Sequence, residues 1–436
     1  MGRSGIAGIF ITAALGLSLV LPALRAEGEV KAGSIVKITG KRGSWVLTVN
    51  GKPFYIKGVG CSLAAGKGGE DYLKLAKETG ANTVRTMGTD EGTEAYFDTA
   101  LKYGLMVDAG IRFDYVSDKK EISYVDDSAY KEKKINEIIE YINKFKDHPA
   151  LLMWNLGNDA IFFTKSEQER VSLSKFLEEM VQLVHKLDPN HPVIYSSSSD
   201  VSDMPYIERY VPGLDAFGMN VYGSIRAAHT KWYKSSLNKP YIVTEYGPAG
   251  PWAVQRDRNG VSSDQPDQAK AASYRSMTNE IINFKGYNLG GFAFHLGEAS
   301  RESLTWWNLN YKALKRASFW EIYKLYAGGK PSNKPPRIAR FNLSKINKIA
   351  PGEIIGISAE AIDTDSNPLD YTFAVSTAQE GVSRYYVNEE VPAKFTCEGV
   401  NFKMTAPGEK GLYRVYVFVN DGYGNVATAN KSIKVE

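Results

Sequence analysis

Two acidic side chains stand where apolar runs break off. In Leu151-Leu152-Met153-Trp154-Asn155-Leu156-Gly157-Asn158-Asp159 a hydrophobic run climbs to a tryptophan and ends in an amide beside a carboxyl. In Tyr241-Ile242-Val243-Thr244-Glu245-Tyr246-Gly247 a second run ends on a carboxyl. A buried parallel strand that delivers polar groups at its end reads this way. Two carboxyl groups facing across a cleft are what glycosidic bond cleavage requires. One must be protonated, to give its proton to the leaving oxygen. The other must be ionised, to attack the anomeric carbon or to activate water. Their surroundings must hold their pKa values apart.

Other groups stand at comparable positions after apolar runs: Arg85, the pair Asn220 and Tyr222, and His295. Asn158 could bind a sugar hydroxyl, and Tyr222 could hold a carboxylate by hydrogen bond. Trp252 and the pair Trp306-Trp307 follow the last two runs, where indole faces could stack on pyranose rings. Singly, each is as well explained by packing or ion pairing; together, at the ends of successive runs, they favour a substrate site. Competing chemistries find little support. The five histidines form no i, i+4 pair with a glutamate, so no metal site is expected. No Gly-x-Ser-x-Gly occurs, and no dinucleotide fingerprint or phosphate loop, so no cofactor is expected. Asp363-Thr364-Asp365-Ser366-Asn367 alternates oxygen side chains, but it lacks the glycine and distal glutamate of an EF-hand loop and reads as a turn rather than a Ca²⁺ site.

The elements that must position these groups can be read from periodicity. Apolar runs recur at 54–59, 82–85, 105–111, 150–155, 192–196, 214–220, 241–245 and 289–294. Between them lie helical patterns: Ile135, Ile138, Ile139 and Ile142 at i, i+3, i+4 and i+7, and Leu173, Phe176, Leu177, Met180 and Val184 over three turns. Eight strand–helix units in about 275 residues predict a (β/α)₈ barrel, for which about 250 residues is typical. The fold class is therefore α/β, with the barrel at 53–330. A short β-cap at 27–52 precedes it, turning at Asn50-Gly51. A linker by composition follows at 331–336. Residues 337–436 lose helical period and predict a small all-β, immunoglobulin-like sandwich. Cys61 and Cys397 are far apart, and no disulfide framework is expected.

Charge is nearly balanced, at 53 basic against 49 acidic residues, without long runs. A nucleic-acid partner is therefore not expected. Arg3 followed by an apolar stretch over 6–24, ending at Arg25-Ala26-Glu27, predicts a signal peptide at 1–26. A retained anchor is the alternative, since the run approaches the length of a span. Export follows from either, with no stable membrane span after cleavage.

Several stretches carry a resemblance: Pro53-Phe54-Tyr55-Ile56-Lys57-Gly58-Val59, Gly80-Ala81-Asn82-Thr83-Val84-Arg85-Thr86, Trp154-Asn155-Leu156-Gly157-Asn158-Asp159 and Val243-Thr244-Glu245-Tyr246-Gly247-Pro248. Over about residues 50–330 the chain resembles the catalytic TIM barrels of clan A glycoside hydrolases, and most of all the family 2-like barrels. The resemblance implies a retaining, double-displacement glycosidase acting on oligo- or polysaccharides. It places Glu245 on the nucleophile, Asp159 on the general acid/base, Asn158 on the contact to the 2-hydroxyl, and Arg85 and Tyr222 on supporting positions. Asn220, Trp252, His295 and Trp306 are expected to line the substrate site with them. The last hundred residues resemble cadherin-like or PKD-like modules at the level of fold. One departure matters. The family pattern is Gly-Asn-Glu, and this chain has Gly157-Asn158-Asp159. One methylene fewer draws the carboxyl back by about 1.5 Å, comparable with the ~1 Å misplacement that can cost 10²-fold. Asp159 could serve in a closed-up site, or the gap could widen toward an inverting geometry. The third outcome is a catalytically weak or silent carbohydrate-binding protein.

Overall fold

The N-terminal cap is a three-stranded antiparallel sheet of β1 (Val36–Thr39), β2 (Val46–Val49) and β3 (Lys52–Phe54). Asn50 and Gly51 join the last two with φ of 50° and 75°, the left-handed pair that a two-residue hairpin requires. The computed structural model describes residues 33–117, 121–198, 202–297, 303–378, 388–398 and 401–436. The expected signal peptide lies outside them. Among the described residues no helix is long and apolar enough to cross a membrane.

Eight parallel strands then close into a barrel, alternating with helices as the periodicity predicts. In chain order the elements are β4 (Ile56–Gly60), α1 (Tyr72–Glu78), β5 (Thr83–Arg85), α2 (Glu94–Lys102), β6 (Met106–Ile111), α3 (Ser128–Phe145) and β7 (Leu151–Asn158). They continue with α4 (Ala160–Phe163), α5 (Glu167–Leu187), β8 (Val193–Ser197), α6 (Met204–Tyr210), β9 (Ala216–Tyr222), α7 (Ile225–Lys234), β10 (Tyr241–Gly247), α8 (Asp267–Asn283) and β11 (Asn288–Ala293). Strand β11 pairs with β4 and closes the ring. The strands read as continuous apolar runs because both faces are covered. In α5 the stripe Leu173, Phe176, Leu177, Met180 and Val184 is buried against the barrel, and the side chain of Ser166 caps the helix N-terminus.

The cap plugs the end at which the strands begin. Val36 and Leu47 share a buried cluster with Ile56, Leu152, Ile194, Ala216, Ile242 and Leu289, each among the first two residues of its strand. The apolar strand starts are thereby covered, and the opposite end is left for a site.

After a short hairpin of β12 (Asn310–Tyr311) and β13 (Leu314–Lys315), α9 (Ala317–Ala327) completes the outer ring. The C-terminal region is all-β. Its strands are β14 (Arg337–Leu343), β15 (Ile354–Ile362), β16 (Asp370–Thr377), β17 (Glu390–Val391), β18 (Phe395–Glu398), β19 (Asn401–Thr405), β20 (Gly411–Asn420) and β21 (Val426–Val435). They form two antiparallel sheets, ordered β14-β15-β19-β18 and β17-β16-β20-β21. Ile355 and Met404 of one sheet pack with Val375, Val415 and Val417 of the other in one core. Strands β17 and β18 were not expected, being two and four residues long, too short to show alternation.

Composition marks 331–336 as a linker, yet this segment is held. Asn333 bonds Asn367 at 2.7 Å, and Asn425 bonds Asn333 at 3.0 Å. The Lys334 amide donates to Asp365 at 2.6 Å. Asp363 accepts amides from Asp365 and Asn367 within its own turn, at 2.7 and 3.3 Å. Residues 33–436 form one compact unit, fastened by buried charges: Asp267 accepts the Thr428 amide at 2.8 Å, and Arg414 donates to the Ser262 carbonyl at 2.7 Å.

Candidate active site

The side chains picked out from the sequence converge at the C-terminal ends of four barrel strands. Strand β5 ends on Arg85, β7 on Asn158 with Asp159 next, β9 presents Asn220 and Tyr222, and β10 presents Glu245. Arg85 is 1% exposed and anchors the group. Its Nη1 donates to Glu245 Oε1 at 2.8 Å and to the Thr244 carbonyl at 3.1 Å. Its Nη2 donates to Asn158 Oδ1 at 2.8 Å and to Ser196 Oγ at 3.2 Å. Asn220 Nδ2 also reaches Asn158 Oδ1, at 2.9 Å, and it reaches Asp159 Oδ1 at 3.2 Å. The two carboxyl groups are therefore ends of one frame, running Glu245–Arg85–Asn158–Asn220–Asp159. Asn220 is turned for this by Thr244, whose hydroxyl donates to its amide oxygen at 2.9 Å.

Glu245, 6% exposed, is gripped on both oxygens, since Tyr222 donates its phenol to Oε2 at 2.5 Å. Burial and the Glu245 charge push the Tyr222 phenol well above its usual range, so it remains a donor. Asp159 has fewer donors among the described residues, the Asn220 amide at 3.2 Å being one. Burial, then the charges of Glu245 and Asp203, push its carboxyl well above the ordinary value; the Asn220 donor and Arg85 offset this only in part. A carboxyl raised in this way holds a proton that a neighbour could receive.

The backbone explains how the shorter side chain is presented. Strand β7 ends in a register shift against β8 between Asn155 and Asn158. Gly157 has φ 94°, where an added Cβ would also crowd Tyr195 and Phe113 at 3.2 and 3.3 Å. Asp159 itself is left-handed, at φ 55° and ψ 15°, with its amide donating to the Ser196 carbonyl at 2.9 Å. Aspartate is among the few L-residues that enter this region readily.

Trp252 is 64% exposed. It stands edge-on to Tyr222 at 5.8 Å and 5.9 Å from Trp307. Trp306 requires a correction. It is 1% exposed, its indole donates to the Ala249 carbonyl at 3.1 Å, and Arg414 of the C-terminal sheets lies over its ring at 5.6 Å. It packs the junction between barrel and sheets and presents no face to a sugar. Its neighbour Trp307 turns the other way and packs on Tyr222 at 4.8 Å. His295 lies beside Phe294 and bonds through Nδ1 to the Leu296 carbonyl at 3.2 Å. Burial lowers its pKa to about 4, so it is neutral near pH 7. No hydrogen bond from it to either carboxyl is seen among the described residues.

Sequence reading missed Asp108, which lies beneath Arg85 with Oδ2 3.5 Å from its Nε. Burial pushes its carboxyl up to about 6, against the pull of Arg85 and Asn155. The available signal was one acidic residue inside the apolar strand Met106-Val107-Asp108-Ala109. Asp203, whose carboxylate accepts the Tyr195 phenol at 2.9 Å, carried no such signal. Among the described residues no cluster of ligands could hold a metal.

Residues 39–253, which include Asp159 and Glu245, match the family model of the glycosyl hydrolases family 2 TIM barrel domain. Among curated relatives, a β-glucuronidase of Paenibacillus borealis is 24% identical over 305 residues, covering 64% of this chain and 48% of that protein. A β-glucuronidase of Homo sapiens is 25% identical over 227 residues, covering 46% of this chain and 32% of that protein. The chain thus spans half or less of the curated relatives it matches. Among solved structures, a family 2 β-galacturonidase from Eisenbergiella tayi, bound to galacturonate, superposes with TM-score 0.53 at 16% identity, covering 68% of this chain and 54% of that one. The β-D-glucuronidase of Dictyoglomus thermophilum does so with TM-score 0.52 at 18% identity, covering 67% and 53%. Likeness at these identities is one of fold, and it agrees with the family match: the chain carries a glycoside hydrolase family 2-like TIM barrel.

Proposed function

We propose that this chain hydrolyses β-linked glycans, or transfers their glycosyl group, by a retaining two-carboxylate mechanism with Glu245 as nucleophile and Asp159 as general acid/base. The observation that carries the reading is the contrast between two carboxyls on one hydrogen-bonded frame. Glu245 has a guanidinium on one oxygen and a phenol on the other, while Asp159 has, among the described residues, only the Asn220 amide on its carboxyl, and burial with the Glu245 and Asp203 charges pushes its pKa up.

The chemistry follows from that contrast. Asp159 gives its proton to the glycosidic oxygen as Glu245 attacks the anomeric carbon; the C–O bond breaks and a glycosyl ester forms on Glu245. Esterification removes the Glu245 charge, the second largest cause of the raised Asp159 pKa. Asp159 then becomes a stronger acid, and having given up its proton to the leaving group it can take one from the incoming water or sugar hydroxyl. In this reading Asn158 meets the 2-hydroxyl, and Trp252, exposed beside Tyr222, stacks on a sugar ring. The names of the relatives support a β-linked pyranoside as substrate. Export to the cell envelope or beyond is part of the proposal, supported by the apolar stretch over 6–24 behind Arg3.

The test is the anomeric configuration of the first product from a panel of aryl β-glycosides, followed by proton NMR. The β-anomer is expected. A first-formed α-anomer, or no turnover across the panel, overturns the reading. A second reading, glycan binding with little turnover, is favoured by the short Asp159 side chain. It predicts that Asp159→Glu gains activity, whereas the left-handed backbone at this residue predicts that it loses activity.

A further inference from the structure

Asp159 caps α4, and the amide of Phe163 donates to the Asp159 carbonyl at 3.1 Å. Phe163 therefore stands one helical turn from the carboxyl-bearing residue. Phe163 is 40% exposed. It meets the ring of Phe162 at 4.9 Å and that of Tyr115 at 5.9 Å. Tyr115 comes from a different loop, the one after β6. The two loops are tied together, because the Val116 amide donates to Thr164 Oγ1 at 3.1 Å. The short helix is also pinned from below, where the Ile161 amide donates to the Tyr195 hydroxyl at 2.9 Å. A lone exposed phenylalanine needs no explanation. Three rings from two fastened loops, two of them on a helix that begins at the carboxyl-bearing residue, are a built surface.

Chemistry says which part of a substrate would lie on it. A group that protonates the leaving oxygen must sit on the leaving-group side of the scissile bond. What flanks Asp159 therefore flanks the aglycone. Trp252 belongs to the other flank, since it packs on Tyr222, the residue that holds Glu245.

We infer that Tyr115, Phe162 and Phe163 form a leaving-group platform, which favours β-glycosides whose aglycone offers a ring with an apolar face, either the CH face of a sugar or an aryl group. The inference rests on the reading of Asp159 as proton donor. It is tested by steady-state kinetics of the full chain and its variants on three substrates of one glycone: the glycosyl fluoride, which has no aglycone ring and whose departure needs no proton, the p-nitrophenyl β-glycoside, and a β-linked disaccharide. Phe163→Ala is expected to raise KM for ring-bearing substrates about three- to tenfold, the worth of one aromatic contact, and to spare the fluoride. Phe163→Leu, which keeps apolar bulk, should show the same loss, and Phe163→Trp should restore the wild-type KM. An effect confined to the aryl glycoside identifies an aromatic aglycone, and one confined to the disaccharide identifies a sugar; either supports the platform. Equal effects on all three substrates, or none on any, overturn it. If the wild type cleaves neither fluoride nor glycoside, the proposed function fails and the platform with it. If the wild type is active and Phe163→Ala does not discriminate, the platform alone fails.

Discussion

At the closed end of the barrel, Ser34 Oγ lies 2.9 Å from His191 Nε2, and His191 Nδ1 lies 2.7 Å from Asp188 Oδ2. By distance alone this is the arrangement of a serine hydrolase. At the open end the two carboxyls Asp159 and Glu245 are joined through Arg85 and two asparagines. The difference lies in what each set has left over. Ser34, His191 and Asp188 are each 3% exposed or less. The single hydroxyl proton of Ser34 goes to the Leu151 carbonyl at 2.6 Å, so it is not lent to the histidine. Asp188 is occupied as well by the Trp154 indole at 2.8 Å. These bonds hold the cap to the barrel floor. At the mouth, Asp159 has its pKa raised beside a partner, Glu245, whose charge the proposed reaction would remove. Spacing identifies candidates, and unspent hydrogen-bonding capacity in an accessible place separates a site from a clasp.

The sharpest way to break this comparison is to remove one group at each end. Glu245→Gln should lower kcat/KM on aryl β-glycosides by at least about a thousandfold with the fold intact by circular dichroism. Ser34→Ala should leave kcat/KM within about twofold. Loss of turnover in the serine variant would reverse the assignment of the two ends.

Asp159→Asn comes next. It should cost about 10²- to 10⁴-fold on substrates with poor leaving groups, and much less on activated aryl glycosides and fluorides, which need little protonation. It should also raise the melting temperature at neutral pH. A carboxyl whose folded pKa is raised stabilises the fold fully only below its unfolded value, and the contribution is lost as the pH rises through the folded pKa. Replacing it therefore relieves the fold at pH 7.

Asp203→Asn should act more gently. Its charge is among the causes that raise Asp159, while an asparagine can still accept from Tyr195. The alkaline limb of the kcat profile, set by loss of the Asp159 proton, should move to lower pH. No movement would show that Asp203 does not tune the acid.

The smallest effect belongs to the floor. Ser34→Ala should cost about 1 kcal/mol of stability, read from chemical denaturation. Burial works against the Asp188 carboxylate, but the bonds and charge of His191 and the Trp154 indole hold its pKa below the usual 3.8. A depressed carboxyl contributes stability that is intact above its unfolded value and is lost as the pH falls through the folded one. The penalty of His191→Gln should accordingly shrink below pH 4.

Much of the barrel was legible because buried parallel strands write themselves as short apolar runs, and amphipathic helices as stripes like that of α5. Glu245, Arg85, Asn220 and Tyr222 were legible because each follows such a run. What escaped depends on contacts distant in sequence or on backbone handedness. The left-handed turn at Asp159 changes what its lost methylene means, and no residue type announces it. Trp306 and Trp307 are adjacent in a loop without period, so nothing told the ring packed at the junction with the sheets from the one packed on Tyr222. Ser34 meets His191 across 157 positions. The 331–336 segment looks like a spacer by composition, but Asn333 and Lys334 find partners on turns that only the folded chain brings near.

The central claim is that Glu245 becomes covalently glycosylated while Asp159 manages the proton. Incubation with a panel of 2-deoxy-2-fluoro β-glycosyl fluorides, followed by peptide mass spectrometry, tests it most directly. The account predicts a glycosyl adduct on the peptide bearing Glu245, formed by wild type and absent in Glu245→Gln. An adduct on another residue, or one that persists in Glu245→Gln, would contradict it.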